Sequence, residues 1–291
     1  MRIGVISKKE GYWSTGKILQ AIASKKHKSE YVKTDEVRLV VGEPPEAVHK
    51  GESLREAQVF IPRVGRSMTS FGAMLLRHLE IMHVPTTMTG EALTTARNKF
   101  LALQALHEAG VPVPRTVLLA SRPSPLEART FVPYPAVLKI LSGTQGKGVM
   151  RVKDLDETAS IVDTLNMFGE VVCLQEYIPN PGIDLRAFVV GDEVVASMKR
   201  VAPHTEWRAN IHLGAKGHKV ELDDDTKAIA VRASKAVGLE ISGVDLIMSG
   251  DDPYVLEVNA SPGFRGLLEA TGVDASGPIV DYAVEKAKAG R

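Results

Sequence analysis

Two periodicities divide the chain. Continuous apolar runs at residues 2–7 and 59–64 lack helical spacing and predict buried strands. Residues 16–24 place Ile18, Leu19 and Ile22 on one side, and residues 70–82 repeat that spacing, so two helices are expected to cover those strands. Together they predict a small doubly wound unit. Over 91–109, Leu93, Ala96, Phe100, Leu103 and Leu106 recur at helical spacing until Gly110-Val111-Pro112 stops them. One connector helix is expected there, with Lys99 near its apolar stripe.

Residues 111–178 read as a compact α+β unit. Strands are expected over 113–119, 136–141 and 171–177 and a helix over 160–166, with Pro123, Pro125, Pro133 and Pro135 in the loops. Asn180-Pro181-Gly182 interrupts the pattern. Beyond it, runs at 183–190 and 194–201 joined by Gly191-Asp192 predict a hairpin. A helix over 226–237, strands over 243–248 and 254–259, and a closing helix over 278–288 complete the reading. Three parts result: an α/β unit at 1–95, a connector helix with a central lid at 96–178, and a C-terminal unit rich in antiparallel strands at 179–291.

Composition narrows the classes. The chain has 291 residues, 44% hydrophobic and 24% charged, ordinary values for a globular protein. Its formal net charge of +1 gives no overall pull toward nucleic acid. No apolar run approaches the roughly 20 residues that span a bilayer, and residues 1–7 enter a strand pattern without a signal-peptide core. The single Cys173 lies in an apolar run and reads as a small buried thiol. A cytoplasmic protein without membrane or nucleic-acid partners is expected.

Candidate chemistry concentrates in four places. Residues 11–18, GYWSTGKI, come close to a phosphate-loop motif, but Ile18 stands where the metal-binding hydroxyl must be. A helix start with a surface Lys17 is the plainer reading, and a kinase built on this loop is the rival one. Residues 141–149, LSGTQGKGV, lie between strands. There Gly143, Gly146 and Gly148 could fold backbone N–H groups over phosphate oxygens or simply form a turn. Lys139, flanked by Val137, Leu138 and Ile140, needs an anionic partner. Asp245 and Glu257 each sit in an otherwise apolar strand, where a lone buried charge costs several kcal/mol. Glu257 and Asn259 are two apart and share a strand face, so with Asp245 they offer hard oxygen ligands suited to Mg2+. Asn259-Ala260-Ser261 also spells a glycosylation sequon, which Pro262 and the absence of a leader disfavour. Arg186, Lys199, Arg200 and Arg208 lie on or just after the hairpin, either to neutralise a phosphoryl group or as solvated cations.

The order of these motifs resembles one family. Lys99, Lys139 with its glycine-rich loop, QEYI (175–178), DLRAFVVGDEVVASMKR (184–200), WRAN (207–210), GVDL (243–246) and EVNASPGF (257–264) together resemble the RimK-like branch of ATP-grasp α-L-glutamate ligases. The resemblance implies an α/β (α+β) ATP-grasp fold: an N-terminal doubly wound domain, a central lid and a C-terminal antiparallel-sheet domain. It implies that Lys99, Lys139 and the loop glycines bind the phosphates of ATP, that Glu176 and Tyr177 meet adenine and that Asp184 meets ribose. Arg208 and Asn210 become further nucleotide contacts, Arg200 a catalytic cation with Lys139, and Asp245, Glu257 and Asn259 the ligands of two Mg2+ ions, with Mn2+ able to substitute. The implied reaction transfers the γ-phosphoryl group to an acceptor carboxylate, and the amine of L-glutamate then attacks the acyl phosphate. No Ser/His/Asp or Cys/His set is needed for that. The acceptor would be a ribosomal-protein C-terminus or the glutamyl tail of a deazaflavin or tetrahydromethanopterin coenzyme. Arg63, Ser67, Arg186 and Ser261 are the expected substrate contacts, with Arg66 beside Arg63. Relatives imply a dimer or tetramer. The alternatives are a non-catalytic ATP-binding regulatory module and an amino-acid ligase acting on a carrier protein.

Overall fold

The computed structural model describes residues 1–123, 127, 131–141, 148–180, 182–203 and 214–289. Near the N-terminus, β1 (Arg2–Ser7), β2 (Lys28–Lys33) and β6 (Val59–Arg63) form a parallel sheet in the order β2-β1-β6, with Ser7 opposite Arg63 at its carboxyl end. Period-2 alternation sorts its side chains. Ile3, Val5, Val59 and Ile61 join a core with α1 (Trp13–Ser24), whereas Ile6 and Phe60 face α2 (Thr69–Ile81). Sequence patterning missed β2 and a small antiparallel sheet of β3 (Val37–Val40), β4 (Glu46–His49) and β5 (Glu52–Ser53). These are short and largely polar runs such as Lys28-Ser29-Glu30, which carry little apolar signal.

The expected single connector helix is two. α3 (Gly90–Arg97) stops at Asn98, which leaves helical geometry at φ −97° and ψ 110°. Its Oδ1 accepts hydrogen bonds from the amides of Phe100 and Leu101 at 3.1 and 3.2 Å, starting α4 (Lys99–Glu108). Asparagine competes with a continuous helix because its side chain can cap a new one. The apolar periodicity survives the break, which is why it suggested one rod.

Next, β7 (Thr116–Leu119), β8 (Ala136–Ile140), β9 (Val149–Val152) and β10 (Val172–Glu176) form an antiparallel sheet in the order β7-β10-β8-β9. Helix α5 (Leu155–Asn166) contributes Val162 to its core and starts five residues earlier than the periodicity suggested, because Asp154 caps it. The third sheet is antiparallel, with the order β13-β12-β11-β14-β15, from β11 (Ile183–Val190), β12 (Glu193–Val201), β13 (Lys216–Lys219), β14 (Ile241–Ser249) and β15 (Asp252–Asn259). One face buries Ala187, Val189, Val244 and Leu246 in the same core as α6 (Asp224–Ala236) and the connector residues Leu93 and Leu106. Short α7 (Arg265–Thr271) covers β12 and β13, and α8 (Ser276–Ala289) packs back on α1 and β6. The first and third sheets therefore share their cores, while the second keeps its own.

Candidate active site

The third sheet presents its polar face as a ladder. Pairing sets Met198, Arg186, Asp245 and Glu257 side by side across β12, β11, β14 and β15, and sets Asp184 opposite Arg200 in the next rung. Cross-strand neighbours on one face lie about 5 Å apart, so these charges must interact. Arg200 forks onto Asp184 at 2.5 and 2.6 Å and reaches Asp245 at 3.1 Å; Arg186 forks onto Asp245 at 2.5 and 2.7 Å. Bidentate guanidinium–carboxylate pairs are the strongest of these bonds, and all but Arg186 in this network are buried. Burial alone would raise Asp245, but Arg186 and Arg200 outweigh it and hold the carboxyl below its usual range. Asp184, with Arg200 as its main counter-charge, is pushed up to about 6 by burial.

Glu257 departs from expectation. It is exposed, on the edge strand β15, which bulges just before it: Glu257 faces Asp245 and Val255 faces Leu246, leaving Leu256 unpaired. No hydrogen bond or ion pair holds it among the described residues. Its charge reaches Lys99, Lys139 and Arg97 through space. Asn259 donates through Nδ2 to the Gly243 carbonyl at 3.2 Å and Asp245 at 3.4 Å, which leaves its amide oxygen as an acceptor. Two carboxylates on directly paired residues and one amide oxygen, with Glu257 unpartnered, fit a hard divalent cation. Gly243 is required here, since a Cβ would stand 2.9 Å from Pro262 and 3.3 Å from the Arg186 side chain.

Lys139 comes from the second sheet and Lys99 from the start of α4. Lys99 Nζ donates to the carbonyls of Ile140 and Leu141 at 3.3 and 3.4 Å, tying α4 to the end of β8. Lys139 donates to Gln175 Oε1 at 2.5 Å, and burial pushes its ammonium down to about 8 against the pull of Glu257. Cys173, opposite Lys139 in β10, is buried, and its thiol is pushed up to about 11 by burial. It is inert at neutral pH, as a small core thiol should be. Glu176 ends β10, where its carboxylate accepts from the Arg115 amide at 3.4 Å; Tyr177 follows, with Arg151 stacked 5.7 Å above its ring. Gly148 takes φ +73°, and its carbonyl accepts from the Ile140 amide at 2.9 Å. A Cβ there would press on Ile140 at 3.2 Å. Gly143, Gly146, Arg208 and Asn210 lie outside the described residues.

A cleft of about 810 Å³ joins the ladder to the N-terminal domain. Arg186, Arg200, Asp245, Glu257, Asn259 and Ser261 line one side; Arg63, Arg66, Arg97 and the 12–15 turn line the other. Ser67 is exposed, accepts from Lys8 at 3.3 Å and is not among the lining residues. Arg97 escaped the sequence reading. Its only signal was a cation two positions before Lys99. Lys17 pairs with Asp274 at 3.7 Å and lies over the Trp13 ring, at the side of α1 and away from the cleft lining, so residues 11–18 make a helix start. Trp13 and Phe188 each meet Phe264 edge-on, at 5.3 and 6.0 Å, pinning the turn after β15 to the N-terminal domain.

This architecture, with Lys99 and Lys139 near the carboxylates of the third sheet, is that of an ATP-grasp ligase. The chain belongs to the RimK family: the RimK-like ATP-grasp domain matches residues 96–283 and the RimK PreATP-grasp domain residues 1–93. It is 35% identical over 295 aligned positions to a "Probable alpha-L-glutamate ligase" of Methanococcoides burtonii, covering 100% of this chain and 98% of that one. A protein of the same name from Legionella pneumophila is 40% identical over 240 residues, covering 82% and 80%. In fold it resembles the ATP-grasp ligase PsnB solved with a minimal precursor, Mg and ADP, at a TM-score of 0.76, 22% identity and 98% coverage of both chains. It also resembles D-alanine–D-alanine ligase from Bacillus anthracis complexed with ATP, at 0.71, 17% identity and coverage of 99% and 98%. The family is one of ATP-grasp ligases. Among the described residues no helix is long and apolar enough to cross a membrane.

Proposed function

We propose that this ligase adds L-glutamate to an acceptor carboxylate by way of an acyl phosphate, with a peptide or protein C-terminus as acceptor. The observation that carries the reading is the charge ladder beside two lysines: the carboxylates of Asp245 and Glu257, the forked Arg186 and Arg200, and the ammoniums of Lys99 and Lys139 come together. A peptide end is favoured over a coenzyme tail because PsnB and MdnC, which share the fold, were solved with precursor peptides.

In this reading ATP lies between the second and third sheets. Lys99, Lys139 and the loop bearing Gly143, Gly146 and Gly148 take its phosphates, and Glu176 and Tyr177 take adenine. Asp184 reaches ribose only by loosening from Arg200; Arg208 and Asn210 add further contacts. Asp245, Glu257 and Asn259 would hold Mg2+, or Mn2+ in its place, which supplies charge neutralisation of the phosphate oxygens. An acceptor carboxylate oxygen attacks the γ-phosphorus and ADP leaves. The glutamate nitrogen then attacks the acyl carbon, expelling phosphate and losing a proton, to leave an amide. Arg200 neutralises the phosphoryl group in transfer, and the second sheet, within residues 96–178, acts as the lid that excludes water.

The test is an ADP-release screen of peptides and glutamylated coenzymes against the common amino acids, with mass spectrometry of the products. Glutamate addition to a peptide end is expected. Formation of ADP with no mass added to any acceptor, or product with another amino acid only, would sink the reading.

A further inference from the structure

The N-terminal wall of the cleft holds charges that the reaction scheme above leaves unused. Arg63 ends β6 and donates to the Pro262 carbonyl at 2.6 Å; Arg97 ends α3 and donates to the Val64 carbonyl at 2.7 Å; Arg66 donates to the Leu141 carbonyl at 2.8 Å. None of the three has a carboxylate partner among the described residues, although the ladder opposite is almost fully paired. A carbonyl satisfies one N–H of five and no charge. Arg97 Nε and Ser261 Oγ are buried with no hydrogen-bond partner among the described residues. Burial, and then Arg97, push Arg63 down to about 10, an unusual value for a guanidinium. Arg97 feels Glu257 through space, but neither it nor Arg63 has a directly bonded anion among the described residues, so the pair can take one from outside the chain.

Topology points to the same place independently. In a doubly wound sheet, ligands bind beyond the carboxyl ends of strands whose connections leave on opposite faces. Here β1 leads to α1 on one face and β6 to α2 on the other, and the carboxyl ends at Ser7 and Arg63 both line the cleft.

Resting on the ligase reading, we infer that Arg63 and Arg97, with the Ser261 hydroxyl, bind a second, non-reacting carboxylate of the acceptor end while its reacting carboxylate lies at Arg200. These residues make the acceptor site a reader of dicarboxylates. A neutral amide in that position would leave both guanidiniums desolvated and unpaired, the arrangement by which polar sites reject analogues most strongly.

The direct test is calorimetric titration of the protein saturated with AMP-PNP and Mg2+, using glutarate, with two carboxylates, and glutaramate, with one carboxylate and one amide. Glutarate should bind at least about 30-fold more tightly. Arg97→Gln and, separately, Arg63→Gln should abolish that preference while AMP-PNP affinity stays within about twofold, and Arg63→Lys should restore part of it. Either variant suffices if the other fails to fold. Equal binding of the two probes, no binding of glutarate, or a preference that persists in both glutamine variants would overturn the inference. These titrations need no turnover. Intact glutarate preference without ADP formation would therefore sink the ligase reading alone.

Discussion

Arg200 and Arg63 line the same cleft, yet Arg200 closes on two carboxylates within 3.1 Å whereas Arg63 meets a carbonyl and, among the described residues, no carboxylate. On the floor, Arg186 and Arg200 neutralise Asp184 and Asp245 within the sheet. On the wall, three guanidiniums are held in place by carbonyls without being neutralised. The floor is built for its own cohesion, and a cation arriving there must loosen Asp245 from its arginines. The wall gives up stability to keep its charge available, the exchange expected of a binding surface.

Substitution on the floor should produce the largest effect and divide it. Glu257→Gln should lower Mg2+-dependent ADP formation by about 10²–10³-fold without changing thermal stability, because Glu257 is exposed and unpartnered. Asp245→Asn should lose as much activity and also about 3 kcal/mol of stability, since two guanidiniums lose their counter-ion. Full activity in Glu257→Gln would break the metal assignment, and equal melting of the two variants would break the distinction between free and bound carboxylates.

Much of this floor was legible. Alternation along a strand puts Glu257 and Asn259 on one face, whereas the direct pairing of Asp245 with Glu257 depends on the register of β14 against β15. Their unequal burial was not legible, because it depends on β15 lying at the sheet edge and on the arginines that cover Asp245 in the strand beside it. The role of Asp184 as the anchor of Arg200 was also hidden, since it depends on the register of β11 against β12. Arg97 was lost for another reason. An unbroken helix would have put it in the middle of a rod, and only the Asn98 cap makes it an end.

A smaller and opposite pair of effects should separate the two walls. Denaturant unfolding of Arg200→Gln should show a loss of about 3 kcal/mol, because Asp184 is left buried and uncompensated. Arg63→Gln should stay within about 1 kcal/mol of the parent, on the stable side, since it removes a desolvated charge and only one carbonyl bond. Similar losses in both would remove the contrast.

The smallest effect is one of pH. Lys139 in the ligand-free fold sits at about 8, below its ordinary 10.5, so the folded chain gives up this proton first. Holding the charge costs stability below about pH 8, and that cost fades as pH rises toward 10.5. Lys139→Met should therefore melt above the parent at pH 7, with the margin closing by pH 10. A constant margin across that range would show that the burial of Lys139 carries no such cost.

The break at Asn98 has a consequence for how the two halves of the cleft are kept in step. Arg97 reaches toward the acceptor wall and Lys99 toward the end of β8, so the groups proposed for acceptor and nucleotide hang from adjacent helix ends separated by one residue. That residue works as a covalent ruler. Lengthening the junction would change the span between the two substrates while leaving every contacting side chain in place, whereas exchanges at Arg63 or Arg66 would alter what is bound without altering the reach.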